Sequence, residues 1–217
     1  MRVELPSGTP AEVARPETYP ARGLVVIPDI MGLRPLFDDL TARLAGEHDW
    51  AVAAVEPFPH QELSSLEDRF RAIPAGGDGR LLADIAGAAD VLATDRVAVL
   101  GFCMGGMYAL KAAASGRFDR AVSFYGMIRL PADWKSAGQR EPLELLDAGS
   151  PCPILAIIGG RDPYTPPDDV AALQRRAGVE VAIYPEAEHG FVHDAARPAH
   201  RSADAADAWA KTLAFLG

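Results

Sequence analysis

From residue 23 to the end of the chain, short β-branched runs take turns with stretches of helical periodicity. Few folds accept that alternation. The runs are GLVVIP (23–28), WAVAAVEP (50–57), RVAVLG (96–101), RAVSFYG (120–126), PILAIIGG (153–160) and VEVAIYP (179–185). Each is too short for a helix and is bounded by Gly, Pro or charge, as buried strands are. Between them, 37–48, 80–93, 104–115, 168–178 and 203–216 read as helices; Phe37, Leu40 and Leu44 mark one helical face. The segment 60–79 is polar and broken by Pro and Gly, and reads as a long connection with at most a helical turn. RVEL and AEVAR, flanking PSGTP, read as an N-terminal hairpin. Strand–helix alternation gives a mostly parallel, twisted α/β sheet with helices on both faces, and places function at the C-terminal ends of the strands. The 217 residues contain no repeat and no linker, so a single domain over 1–217 is expected.

Charge and cysteine content narrow the function. The formal net charge of -9 argues against a nucleic-acid surface, which needs clustered Lys and Arg. No apolar run reaches membrane-spanning length, and the N-terminal MRVELPSGTP has no apolar signal core. A cytoplasmic protein, monomer or homodimer, is therefore expected. Cys103 and Cys152 are the only cysteines, too few for a disulfide framework and not spaced as zinc ligands. No metal is expected.

Three reactive side chains fall just past three strand ends. Cys103 sits in GFCMGG between strand 96–101 and helix 104–115, filling the G-x-S-x-G nucleophile elbow with cysteine. The free N–H groups and dipole of a helix N-terminus favour its thiolate. Asp162 follows strand 153–160 in GGRDPYTP, and His189 follows strand 179–185 in PEAEHGF. Taken singly, each has an ordinary structural explanation. Together they stand in the chain order nucleophile, acid, histidine, which is that of the α/β-hydrolase fold. In that arrangement His189 takes the Cys103 proton, Asp162 sets the tautomer of His189, and the backbone N–H groups of Met104 and Ile30 form an oxyanion hole.

Over nearly its whole length the chain resembles the dienelactone hydrolase family. The resemblance rests on VVIPDIMGL (25–33), GFCMGG (101–106), SFYG (123–126), GGRDPYTP (159–166) and EHGF (188–191) in combination. It implies an α/β-hydrolase fold, a Cys103–His189–Asp162 triad, no cofactor, and a small ester or lactone as substrate. It also implies an acid beside the resting nucleophile, here Asp29, which would disfavour a neighbouring thiolate. Members that bind a substrate carboxylate hold it with arginines. His193 stands at one of those positions, and Arg69 or Arg71 are candidates for the other. Tyr125, past strand 120–124, either lines the pocket or packs in the core. Trp50, Trp134 and Trp209 are assigned to packing. Two other readings of Cys103 stay open: a thiol acyl transferase or peptidase on the same triad, and an oxidisable sensor with Cys152 as its only resolving thiol.

Overall fold

In the computed structural model, which describes residues 1–217, the central strands are buried on both faces. That is why they read as unbroken apolar runs. Eight strands form one sheet: β1 (Arg2–Glu4), β2 (Pro10–Ala14), β3 (Arg22–Ile27), β4 (Trp50–Val55), β5 (Val97–Phe102), β6 (Arg120–Phe124), β7 (Ile154–Gly159) and β8 (Val179–Tyr184). Their spatial order is β1-β2-β4-β3-β5-β6-β7-β8. β1 and β2 form the expected hairpin, and β2 joins β4 antiparallel; every other pairing is parallel. Along β3, Leu24 and Val26 enter the core on one face, while Val25 and Ile27 enter the core on the other.

Helices cover both faces. α1 (Pro35–His48) and α6 (Ser202–Leu216) pack on one. α2 (Leu66–Leu92), α3 (Met104–Ala113), α4 (Pro142–Ala148) and α5 (Pro167–Gln174) pack on the other. The strand order reverses between β3 and β5, which pair with Ile27 opposite Gly101. The loop after β3 and the turn after β5 therefore open side by side at a switch point, where α/β sheets bind ligands.

One segment departs from the sequence expectation. Instead of an irregular connection over 60–79, α2 begins at Leu66. A reciprocal cap starts it: the Asp68 N–H donates to Ser65 Oγ at 3.1 Å, and the Ser65 N–H donates to the Asp68 carboxylate at 3.2 Å. Pro74 and Gly77 do not end the helix but kink it, with Gly77 at φ 62°. The kink is pinned from outside. The Asp78 N–H donates to the Gly138 carbonyl at 2.7 Å, and Lys111 Nζ, buried on α3, donates to Asp78 Oδ1 at 2.6 Å. The first half of α2 thus lies against the 3-10 turn Ala132–Trp134, with the Phe70 and Trp134 rings 5.9 Å apart. Together these two segments wall the cleft at the strand ends.

Candidate active site

The glycines of GFCMGG are there for close approach. A Cβ on Gly101 would lie 2.0 Å from the Gly105 carbonyl oxygen, and one on Gly105 would lie 2.2 Å from the Ile27 oxygen. Without them α3 could not start so close to β5 and β3. The residue between carries the strain: Cys103 takes φ 58°, ψ -119° as N-cap of α3, a region a side chain rarely adopts. Its N–H donates to the Phe124 carbonyl at 3.0 Å. The turn projects the thiol, half-buried, into the cleft.

His189 and Asp162 meet it there. Asp162, on the turn after β7, is buried; one carboxylate oxygen accepts the Tyr164 N–H at 2.9 Å and the other accepts His189 Nδ1–H at 2.8 Å. The ring of His189 is held edge-on between Tyr164 and Tyr125, at centroid distances of 4.9 and 5.2 Å. Its Nε2 is buried with no well-formed hydrogen bond, yet Cys103 lies close enough to favour its protonation. Burial pulls the His189 pKa down, but the Asp162 bond and the neighbouring thiol outweigh it and push the pKa up to about 9.

Cys103 and His189 open into a cavity of about 1030 Å³ that Asp29, Ile30, Met31 and Tyr164 also line. Two other hollows, of about 330 and 610 Å³, contain neither Cys103 nor His189. No group of three His, Cys, Asp or Glu side chains is placed to hold a metal ion.

A second array runs from the cavity wall, where Asp29 and Arg34 stand, back to His193 and Tyr125 in the core. Asp29 is buried and accepts four hydrogen bonds: two from Arg34 at 2.7 and 2.9 Å, one from His193 Nε2 at 2.8 Å, and one from the Met31 N–H at 2.9 Å. Burial raises the Asp29 pKa, but the bonds from His193 and Arg34 prevail and hold it below the ordinary carboxylate range. Burial pulls the His193 pKa down, so its ring is neutral and Nδ1 accepts the Tyr125 hydroxyl. The Asp29 turn also shapes the loop carrying Ile30: the Gly32 N–H donates to the Asp29 carbonyl at 3.0 Å, and Arg69 donates to the Ile30 carbonyl at 3.3 Å.

The model of the Dienelactone hydrolase family matches residues 9–217. The chain belongs to the dienelactone hydrolase family. A "Probable 2-oxo-3-(5-oxofuran-2-ylidene)propanoate lactonase" of Bradyrhizobium sp is 32% identical over 95% of this chain and 88% of its own length. The "Carboxymethylenebutenolidase" of Rhodococcus opacus is 29% identical, over 89% and 79%. Among solved structures, the "Putative Dienelactone Hydrolase" of Klebsiella pneumoniae subsp. pneumoniae MGH 78578 superposes with TM-score 0.86 at 27% identity, covering 99% of this chain and 96% of that one.

Within this family member, two sequence expectations need correction, for Asp29 and His193, and the alternative left open for Tyr125 is decided for the core. Asp29 does not reach for the thiol; its oxygens are taken by Arg34, His193 and Met31. His193 is no clamp for a carboxylate: its side chain is 1% exposed and both ring nitrogens are occupied. Tyr125 is fully buried, at φ 39°, in the aromatic cluster of Phe102, Phe124 and Phe191. The two arginines separate: Arg69 supports the Ile30 loop, while Arg71 stands at the cavity mouth paired with Glu67 and Asp68. Ile30 and Met104 are both buried, Ile30 lining the cavity and Met104 opening α3. Sequence reading missed Arg34 and Arg197. Arg197 lays its guanidinium over Gly190, next to His189, and lines the cavity. Nothing in spacing or periodicity marks either, because a long side chain reaches its site through tertiary folding alone.

The Asp29 array carries a stability expectation. Asp29→Asn keeps the volume and removes the charge facing Arg34. Stripping one partner from a buried ion pair is costly, and the partial exposure of Arg34 puts the loss at about 2 kcal/mol. Urea denaturation reads it; an unchanged midpoint and slope would mean that the array contributes no net stability.

Proposed function

We propose that this chain hydrolyses carboxylic esters and lactones through a Cys103–His189–Asp162 triad and a thioester acyl-enzyme. The observation that carries the reading is the orientation of His189. Asp162 occupies Nδ1 and leaves Nε2 turned toward Cys103 inside the cavity. His189 holds the thiol proton, and Cys103 Sγ attacks the carbonyl carbon. Negative charge develops on the carbonyl oxygen, where the N–H groups of Ile30 and Met104 receive it; the first N–H groups of α3 have no intrahelical acceptor. His189 Nε2–H then protonates the leaving oxygen as the C–O bond breaks. Water enters, gives its proton to Nε2, and attacks the thioester. The acid leaves and the thiol is restored. In a lactone the leaving oxygen stays tethered, so the product is a single hydroxy acid. Of the three arginines that line the cavity, Arg34 is paired with Asp29 and Arg71 with Glu67, which leaves Arg197, in place of His193, to meet a carboxylate on the substrate.

The relatives support the reaction class: their names include a lactonase and a carboxymethylenebutenolidase. A pH profile tests the triad. With the His189 pKa raised to about 9, the imidazolium that protonates the leaving group persists through neutral pH and is lost above that value. The kcat/KM for a simple alkyl lactone such as δ-valerolactone, whose alkoxide leaving group needs that proton, should therefore show an alkaline limb near pH 9. A profile that keeps rising past that point would rule out His189 as the acid.

A further inference from the structure

Seven large apolar side chains of the chain are exposed, and four of them, Met31, Leu66, Phe70 and Tyr164, line the one cavity that holds Cys103. They come from three separate segments: the loop after β3, the first turns of α2, and the turn after β7. Scattered exposed apolar residues need no explanation; convergence on one opening marks a ligand surface. Met127 and Trp134 continue the apolar wall inward. The cavity, at about 1030 Å³, is at the upper end of what drug-sized ligands occupy, far more than one lactone ring fills.

The wall has a direction. His189 must lie over the leaving group in order to protonate it, and the Tyr164 ring stands against His189 at 4.9 Å. Tyr164 therefore belongs to the leaving-group side. Leu66 and Phe70 lie elsewhere. Their helix turn touches the Ile30 loop through Arg69, and the Phe70 ring pairs with Trp134. With the leaving group under His189 and the carbonyl oxygen at Ile30 and Met104, this second wall is the one left for the acyl group. We propose that Met31, Leu66, Phe70 and Trp134 form a subsite for an extended apolar acyl arm, an alkyl or aryl group of about six carbons or more. The preferred substrate is then an ester or lactone with a hydrophobic acyl chain. This rests on the acyl-enzyme reading above and adds a substrate class to it.

Two measurements on the intact protein test the subsite. The first is kcat/KM along p-nitrophenyl acetate, butyrate and hexanoate, with one leaving group throughout. Each buried methylene favours the complex, so hexanoate should exceed acetate by about tenfold or more. In the double variant Leu66→Ser/Phe70→Ser that ratio should fall to about one, while Tyr19→Ser, an exposed aromatic outside the cavity, should leave it as in wild type. The second is the rate of Cys103 alkylation by iodoacetamide against N-hexyl iodoacetamide, which needs no hydrolysis. A hexyl preference lost in the double variant supports the subsite even if no ester is turned over, in which case it is the proposed function that fails. Equal alkylation rates, a flat ester ladder, or a hexyl preference that survives Leu66→Ser/Phe70→Ser would overturn the subsite.

Discussion

With Cys103 replaced by alanine, hydrolysis of p-nitrophenyl acetate is expected to fall by at least about 10^4-fold, to what the oxyanion hole and binding alone provide. The size follows from covalent catalysis: without sulfur no acyl-enzyme forms, and His189 has nothing to activate. The fold should persist, because the change removes one half-buried atom from a turn held by backbone hydrogen bonds to Phe124 and Met107. Cys152 is the control. Its N–H donates to the Ala113 carbonyl, at the far end of α3 from Cys103. Ten residues of helix put the two cysteines about 15 Å apart, beyond the reach of a disulfide. Burial pushes the Cys152 thiol up to about 11, which also makes it a poor resolving thiol. Cys152→Ala should keep activity within about twofold. Loss of turnover in Cys152→Ala, with Cys103→Ala active, would reverse the assignment.

Asp162→Asn is the second large effect, about 10^3- to 10^4-fold in kcat. The amide can donate to Nδ1, which then loses its proton to Nε2; the ring is presented to Cys103 as the wrong tautomer. The same substitution has a stability signature. The folded pKa of His189, about 9, lies above its ordinary value of 6.5. The Asp162–His189 pairing therefore contributes fully below about pH 6.5 and is lost as pH rises through about 9. The stability gap between wild type and Asp162→Asn should be wider at pH 6 than at pH 10. A gap that widens with pH would mean that His189 is not held as the cation. Near-normal kcat in Asp162→Asn would move the acid to Glu186 or Glu188.

The order of β-branched runs and helical stretches is enough to read the sheet, because strands buried on both faces leave a continuous apolar signal. The three residues of the proposed triad could be picked out as candidates for a related reason. Strand ends are predictable, and Cys103, Asp162 and His189 each stand within a few residues of one. Three other features were not legible. The first half of α2 was hidden because Pro74 and Gly77 look like helix breakers, and only Lys111 and Gly138, distant in sequence, hold the kink in place. The role of His193 turned on which way a loop side chain points. Its neighbours Phe37 and Phe102 stack on the ring and draw it into the core, away from the cavity. Asp29 was paired with the wrong group for want of Arg34. That residue lies five positions on, across the turn into α1, and its fork meets both carboxylate oxygens.

The most direct test is to find where the acyl group goes. The enzyme, mixed with excess p-nitrophenyl acetate and quenched in acid during turnover, would be digested and its peptides weighed. One acetyl group on the peptide containing Cys103, removed by hydroxylamine and absent from His189→Ala protein treated alike, is the expected result. An acetyl group on Cys152 or on a serine, or steady turnover with no acyl group on Cys103, would contradict the thioester mechanism.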